Sequence, residues 1–223
     1  MGKMVQLTAS DGHKFGAYRA DPSGTPRGAI VVIQEIFGAN HHIKALADGY
    51  AKDGYVAIAP ALFDRVTPNL ELGYGPEDQE KGKNTRQQLK WDAVLADTQA
   101  SRDAVADAGK VGIVGFCFGG SVAWLAATRL NGFSASVAYY GGNVADFAEE
   151  KPKVPVMFHF GAEDKGITQD KVAKVKAAQP NAPLYIYEKA GHGFCCDERG
   201  SYNEAAANLA RERSLEFFRK NVG

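Results

Sequence analysis

The sequence predicts a single α/β domain over residues 1–223, with a mostly parallel central sheet and helices on both faces. Three observations carry that expectation. Apolar β-branched runs alternate with amphipathic stretches of ten or more residues, the rhythm of strand–helix–strand crossovers. Runs such as Ala29–Gln34 (AIVVIQ) are apolar without alternation, as strands covered on both faces must be. The 223 residues also suffice for one core that buries roughly 70% of the unfolded surface without a disulfide or metal staple.

Each element follows from a local signal. Val5–Ala9 and Lys14–Arg19 flank Asp11-Gly12, a hairpin turn signal, so the chain opens with two antiparallel strands. After Ala29–Gln34, Asn40 is placed to cap a helix running to about Ala51, and Tyr55–Ala59 is the next buried strand. Residues 60–83 carry Pro60, Pro68, Pro76 and several glycines, and read as a long irregular excursion. From about Thr85 to Ala106, Leu89, Val94, Leu95 and Val105 recur at helical spacing, and Gly109 closes that helix. Val111–Gly115 is a strand that leads into a small-residue helix from about Phe118 to Leu130. Ser134–Tyr140 and Val154–Phe160 are strands, Thr168–Ala178 a helix, Leu184–Tyr187 the last strand, and Glu204–Phe218 a closing amphipathic helix. In such sheets the ligand sits beyond the carboxyl ends of the strands.

Composition excludes several classes. Lys+Arg and Asp+Glu both number 26, so the formal charge is zero, which argues against nucleic acid and acidic membrane surfaces as partners. No apolar run approaches the ~20 residues of a membrane span. The opening MGKMVQLTASDG has no apolar signal region. Three cysteines, Cys117, Cys195 and Cys196, are a poor disulfide framework and read as a reducing compartment. The expectation is a cytoplasmic monomer that acts on a small molecule.

The sharpest motif is Gly115-Phe116-Cys117-Phe118-Gly119-Gly120, after a strand and before a helix. It is the G-x-S-x-G nucleophile elbow with Cys in place of Ser. Glycine two residues to either side of a cysteine arises by chance only roughly 0.04 times in a chain of this composition, before strand–turn–helix context is demanded. A buried, inert cysteine in a glycine-rich turn is the structural alternative. The order of partners favours chemistry, because the elbow requires nucleophile, acid and His in that order. Asp164, in Gly161-Ala162-Glu163-Asp164, and His192, in Gly191-His192-Gly193-Phe194, each follow a predicted strand. His192 would deprotonate Cys117 and later protonate the leaving oxygen, and Asp164 would orient the imidazole. Glu163 competes for the acid position, while His159 lies inside a strand and reads as a core histidine. Phe118, after the nucleophile, and Ile36, after strand AIVVIQ, are the oxyanion-hole candidates. Glu35 is unusual, since a carboxylate at the tip of a buried strand needs a partner.

QEIFG, GFCFGG, the G-x-x-D turn and GHGF, in this order and spacing, resemble the dienelactone hydrolase family (carboxymethylenebutenolidase-like) of the α/β-hydrolase superfamily. The resemblance covers essentially the whole chain. It implies the α/β-hydrolase fold, with Cys117 as nucleophile, His192 as base, Asp164 as its orienter and Glu35 as a carboxylate contacting the resting thiol. It also implies hydrolysis of enol-lactones to linear dicarboxylic acids such as maleylacetate, without metal or organic cofactor. Two departures concern the substrate. The family holds the substrate carboxylate with arginines, one of them four residues after the His, where this chain has Cys196. Gly193 stands where the family has a small serine. Lys81, Lys83, Arg86 and Arg199 are the basic candidates for an anionic substrate, and Tyr139 a candidate for lining the pocket. His41-His42 cannot both turn to one ion easily and no Cys/His pair has zinc spacing, so no metal is expected, and Cys195-Cys196, as adjacent cysteines, would make a strained disulfide. A general carboxylesterase, a non-catalytic ligand-binding member and a thiol redox protein are the competing functions.

Overall fold

The computed structural model describes residues 2–223. Eight strands form one sheet: β1 (Lys3–Thr8), β2 (Lys14–Ala20), β3 (Ala29–Ile33), β4 (Val56–Pro60), β5 (Val111–Phe116), β6 (Phe133–Tyr139), β7 (Val156–Gly161) and β8 (Leu184–Tyr187). Their order across the sheet is β1-β2-β4-β3-β5-β6-β7-β8. The β1–β2 hairpin and the β2–β4 pair are antiparallel, and every pairing from β4 through β8 is parallel. Six helices connect them: α1 (His41–Lys52), α2 (Pro76–Gln87), α3 (Trp91–Asp103), α4 (Phe118–Arg129), α5 (Gln169–Ala178) and α6 (Glu204–Asn221). This is the α/β-hydrolase architecture. No described helix is long and apolar enough to cross a membrane.

All five residues of β3 are buried, as the unalternating run AIVVIQ requires. Successive side chains of a strand point to opposite faces. Ile30 and Val32 therefore join a core with Tyr50 of α1 and Phe218 of α6. Ala29, Val31 and Ile33 join a second core with Val94 of α3 and Val122 of α4. Two cores sandwich the sheet, and the carboxyl ends of β3, β5, β6, β7 and β8 converge on one edge.

Two readings need correction. The excursion over residues 60–83 is ordered, with a 3-10 turn at Leu62–Arg65 and the start of α2 at Pro76. Pro76 at the first helical position, with Glu77 and Asp78 in the first turn, are helix-start signals. They escape a reading by periodicity because α2 buries only Gly82 and Thr85. The helix expected over Thr85–Ala106 is accordingly two helices, α2 and α3, broken at Gln88–Lys90. Arg86 Nη1 donates to the Leu89 carbonyl at 3.1 Å across that break.

Two close approaches lock the helices to the edge where the strands end. A Cβ on Gly119, in the first turn of α4, would sit 2.6 Å from the Gln34 carbonyl oxygen and would also collide with that of Ile33. Gly82 of α2 is pressed in the same way onto the Ile36 carbonyl. Gly142 has open space around its missing Cβ. Gly119→Ala should therefore destabilise the fold by about 1–3 kcal/mol, while Gly142→Ala stays within about 0.5 kcal/mol of wild type. Urea unfolding checks this, and equal midpoints for the two variants would contradict the packing described.

Candidate active site

Cys117 lies between β5 and α4 with φ 54° and ψ −114°, a conformation that non-glycine residues rarely adopt. The neighbouring backbone holds it there. Its N–H donates to the Tyr139 carbonyl at 3.0 Å, and its own carbonyl accepts from Gly120 N at 3.0 Å. Gly115 and Gly119 sit in contact, and a Cβ on Gly115 would collide with the Gly119 carbonyl. The tight turn thus raises the Cys117 side chain above the sheet edge, as an elbow does.

His192 and Asp164 reach the same edge from the loops after β8 and β7. His192 Nδ1 bonds Asp164 Oδ2 at 2.7 Å. The other Asp164 oxygen accepts from the amides of Gly166 at 2.8 Å and Ile167 at 3.0 Å. The Asp164 side chain is fully buried. Burial alone would raise its carboxyl, but the His192 bond and the two amides outweigh it and hold the group below the usual carboxylate range. The adjacent Glu163 is exposed, so Asp164 is the carboxylate that meets the imidazole. Burial pulls the His192 pKa down, yet the Cys117 sulfur on one side and Asp164 on the other push it up to about 10. The imidazole thus holds its second proton between the Cys117 sulfur and the Asp164 carboxylate.

Phe118 is the first residue of α4, so its N–H has no partner within the helix and is free for a ligand oxygen. Ile36 occupies the turn after β3, half-buried under Gly82. Both oxyanion-hole candidates therefore border the elbow.

Glu35 departs from its expected role. Its hydrogen bond runs to Arg199, with Nη1 donating to Oε1 at 3.0 Å, and not to the Cys117 thiol. A buried carboxylate gains more from a charged, hydrogen-bonding guanidinium than from a cysteine sulfur. Arg199 comes within reach because Gly193, at φ 76°, leaves it room: a Cβ there would collide with the guanidinium. The guanidinium also lies over the rings of Phe37 and Tyr74, 5.5 and 5.9 Å from their centroids. Burial pulls the Arg199 pKa down, but Glu35 together with Tyr140, Cys117 and Cys196 outweighs it, so the net shift is upward. The second Glu35 oxygen, Oε2, is buried without a partner.

A dienelactone hydrolase family model matches residues 15–222. The chain belongs to the dienelactone hydrolase family. It is similar to the carboxymethylenebutenolidase of Pseudomonas putida, 33% identical over 96% of this chain and 94% of that one. A solved structure from Klebsiella pneumoniae subsp. pneumoniae, named for the same family, is 32% identical and covers 97% of this chain and 98% of that one with a TM-score of 0.84. The Pyrococcus furiosus esterase Pf2001 shares the fold at 16% identity, with a TM-score of 0.73 over 100% of this chain and 94% of that one. As a family member, the protein is a hydrolase acting on esters.

For this dienelactone hydrolase family member the remaining candidates divide. Arg86 stacks on Trp91 and Phe118, 4.2 and 4.5 Å from their centroids, and burial lowers its pKa while Cys117 opposes that shift. It therefore stands beside the elbow. Lys81 and Lys83 are exposed on α2 and are not part of the site. Tyr139 is not a lining residue either: its hydroxyl is bonded to Ser214 Oγ at 2.6 Å and its ring stacks on His159, 4.4 Å between centroids. The tyrosine beside the site is Tyr140, at φ 37°, with its ring centroid 5.2 Å from that of His192 and its buried hydroxyl unpartnered. The signal for it was positional, since residues one step past a strand end, not within it, face the ligand edge.

The His192 titration should be readable by side-chain NMR. With the Cys117 sulfur as its leading attraction, the imidazole should stay protonated well above the ordinary histidine range, and Cys117→Ser should lower its titration by roughly one pH unit or more. An unchanged titration in Cys117→Ser would show that the sulfur is not its partner.

Proposed function

We propose that the protein hydrolyses a small lactone or ester through a Cys117 thiol ester, with dienelactone (carboxymethylenebutenolide) to maleylacetate as the reaction it fits best. The observation that supports this most is the His192–Asp164 bond at 2.7 Å with the Cys117 sulfur on the other side of the imidazole. The Pseudomonas putida relative bears the name of that activity. In this reading the thiolate adds to the carbonyl carbon, and the Phe118 and Ile36 amides receive the oxyanion. As the tetrahedral adduct collapses, the ring C–O bond breaks and His192 gives its proton to the leaving oxygen. His192, now neutral, takes a proton from water, which attacks the thiol ester and releases the acid and the thiolate. The buried, Asp164-bonded imidazole is protonated below about pH 10, so the acid needed for acylation is present across the neutral range and lost as pH rises through that value. Arg199 and Arg86 are the cations available to a substrate carboxylate. The protein would act on its small-molecule substrate as a monomer, with no cofactor in any step.

A second reading is a general carboxylesterase for a neutral ester. It is favoured by the Arg199–Glu35 bond, which already neutralises the guanidinium nearest the site. A panel of lactones and aryl esters with and without a free carboxylate separates the two. Under either reading, Cys117→Ala should lower kcat/KM by at least roughly 10³-fold on the best substrate, with the fold retained. Equal rates in wild type and variant would refute the proposal, and a preference for neutral esters would decide for the second reading.

A further inference from the structure

His42, Cys196 and Asp197 are brought together from opposite ends of the chain. His42 is the second residue of α1, and Cys196 and Asp197 follow His192 in the loop before α6. They offer an imidazole nitrogen, a thiol sulfur and a carboxylate oxygen, and these three atoms lie within 4.8 Å of one another. His42 Nδ1 and Asp197 Oδ1 are 3.4 Å apart. Two ligands held at about 2.1 Å by a tetrahedral ion are also about 3.4 Å apart, so that edge already has the length a metal would impose.

The state of His42 points independently to a missing ligand. Its side chain is only 6% exposed, and the ring nitrogen that faces Asp197 is Nδ1. The Nδ1 contact at 3.4 Å is too long for a hydrogen bond of ordinary strength. A buried imidazole normally satisfies its nitrogens, and this one instead faces a thiol and a carboxylate. Cys196 is buried and has the Tyr74 hydroxyl as a neighbour, which leaves sulfur lone pairs free for an ion. Asp197 is exposed and gives a route from solvent.

We propose that His42, Cys196 and Asp197 bind one divalent cation of the zinc class, with a water completing four ligands. One nitrogen, one sulfur and one oxygen donor suit zinc or cobalt, whereas magnesium and calcium take oxygen ligands. On binding, Cys196 releases its proton to solvent and coordinates as the thiolate, and its charge with that of Asp197 balances the ion. The ion is separate from Cys117, and it ties α1 to the loop that carries His192. The sequence reading, which expects no metal, weighs His41 and His42 only as a pair. His41 turns outward to Glu198, with Nδ1 and Oε1 2.7 Å apart, and the partners of His42 lie more than 150 positions away.

Cobalt tests this directly. Co²⁺ is titrated into the reduced, chelator-treated full chain. The expected result is a thiolate-to-cobalt charge-transfer band with the visible bands of a tetrahedral ion, saturating at a single ion per chain and displaced by Zn²⁺. Cys196→Ser should abolish the charge-transfer band, while Cys117→Ala and Cys195→Ser keep it. Asp197→Asn, a change at an exposed side chain, should weaken binding by roughly tenfold or more. If Cys196→Ser loses its circular dichroism signal, the Asp197→Asn titration decides alone. No band in wild type, a band that survives Cys196→Ser, or unchanged affinity in Asp197→Asn would each overturn the site.

Discussion

The structure depends on one strained residue. Cys117 is held at φ 54° by a hydrogen bond to the end of β6 and by the close contact of Gly115 with Gly119. Strain of this kind costs of order 1–3 kcal/mol and persists only where the surroundings over-determine it. Here the surroundings are the two cores that sandwich β3 and β5, so the stability of the whole sheet is what keeps the thiol raised. Gly119 seated on the Ile33 and Gln34 carbonyls extends that control to the Glu35–Ile36 turn. The nucleophile, its amide neighbours and the carboxylate of Glu35 are therefore positioned by a single packing arrangement.

Charge is organised around that point in two pairs. Asp164 and His192 form one, and Glu35 and Arg199 form the other, only 1% and 17% exposed. Each pair is balanced within itself, so a buried site can carry four ionisable groups beside Cys117. Removing one partner of a buried pair typically costs about 3–5 kcal/mol, because the other charge is left uncompensated. That makes Arg199 a structural requirement for Glu35 as well as a cation near the substrate. Gly193, at φ 76° and with the Arg199 guanidinium against it, would be strained by a side chain.

Much of this was legible in the sequence because it rests on local chemistry. Unalternating runs such as AIVVIQ identify strands buried on both faces, and the glycines around Cys117 identify the elbow. The order Cys117, Asp164, His192 after β5, β7 and β8 places all three at one edge of a parallel sheet, where the last two meet at 2.7 Å. What escaped depends on long-range contact. The Glu35–Arg199 bond joins residues 164 positions apart, and nothing in either segment announces the other. Helix α2 escaped for the opposite reason, since its capping signals were present but its buried face consists of Gly82 and Thr85, which no hydrophobic period reveals. Tyr140 is not read from the sequence because strand ends are uncertain by a residue or two, and β6 ends at Tyr139, one residue short of the side chain beside His192.

The central claim is that Cys117 carries the acyl group during hydrolysis. Rapid acid quench of wild-type protein with a slowly deacylating aryl ester, followed by peptide mapping by mass spectrometry, tests it most directly. The account predicts an acyl mass on the peptide that contains Cys117, formed during the first turnover and lost at the steady-state rate. A burst of released alcohol with no acyl mass on that peptide, or acyl mass on another side chain, would contradict it.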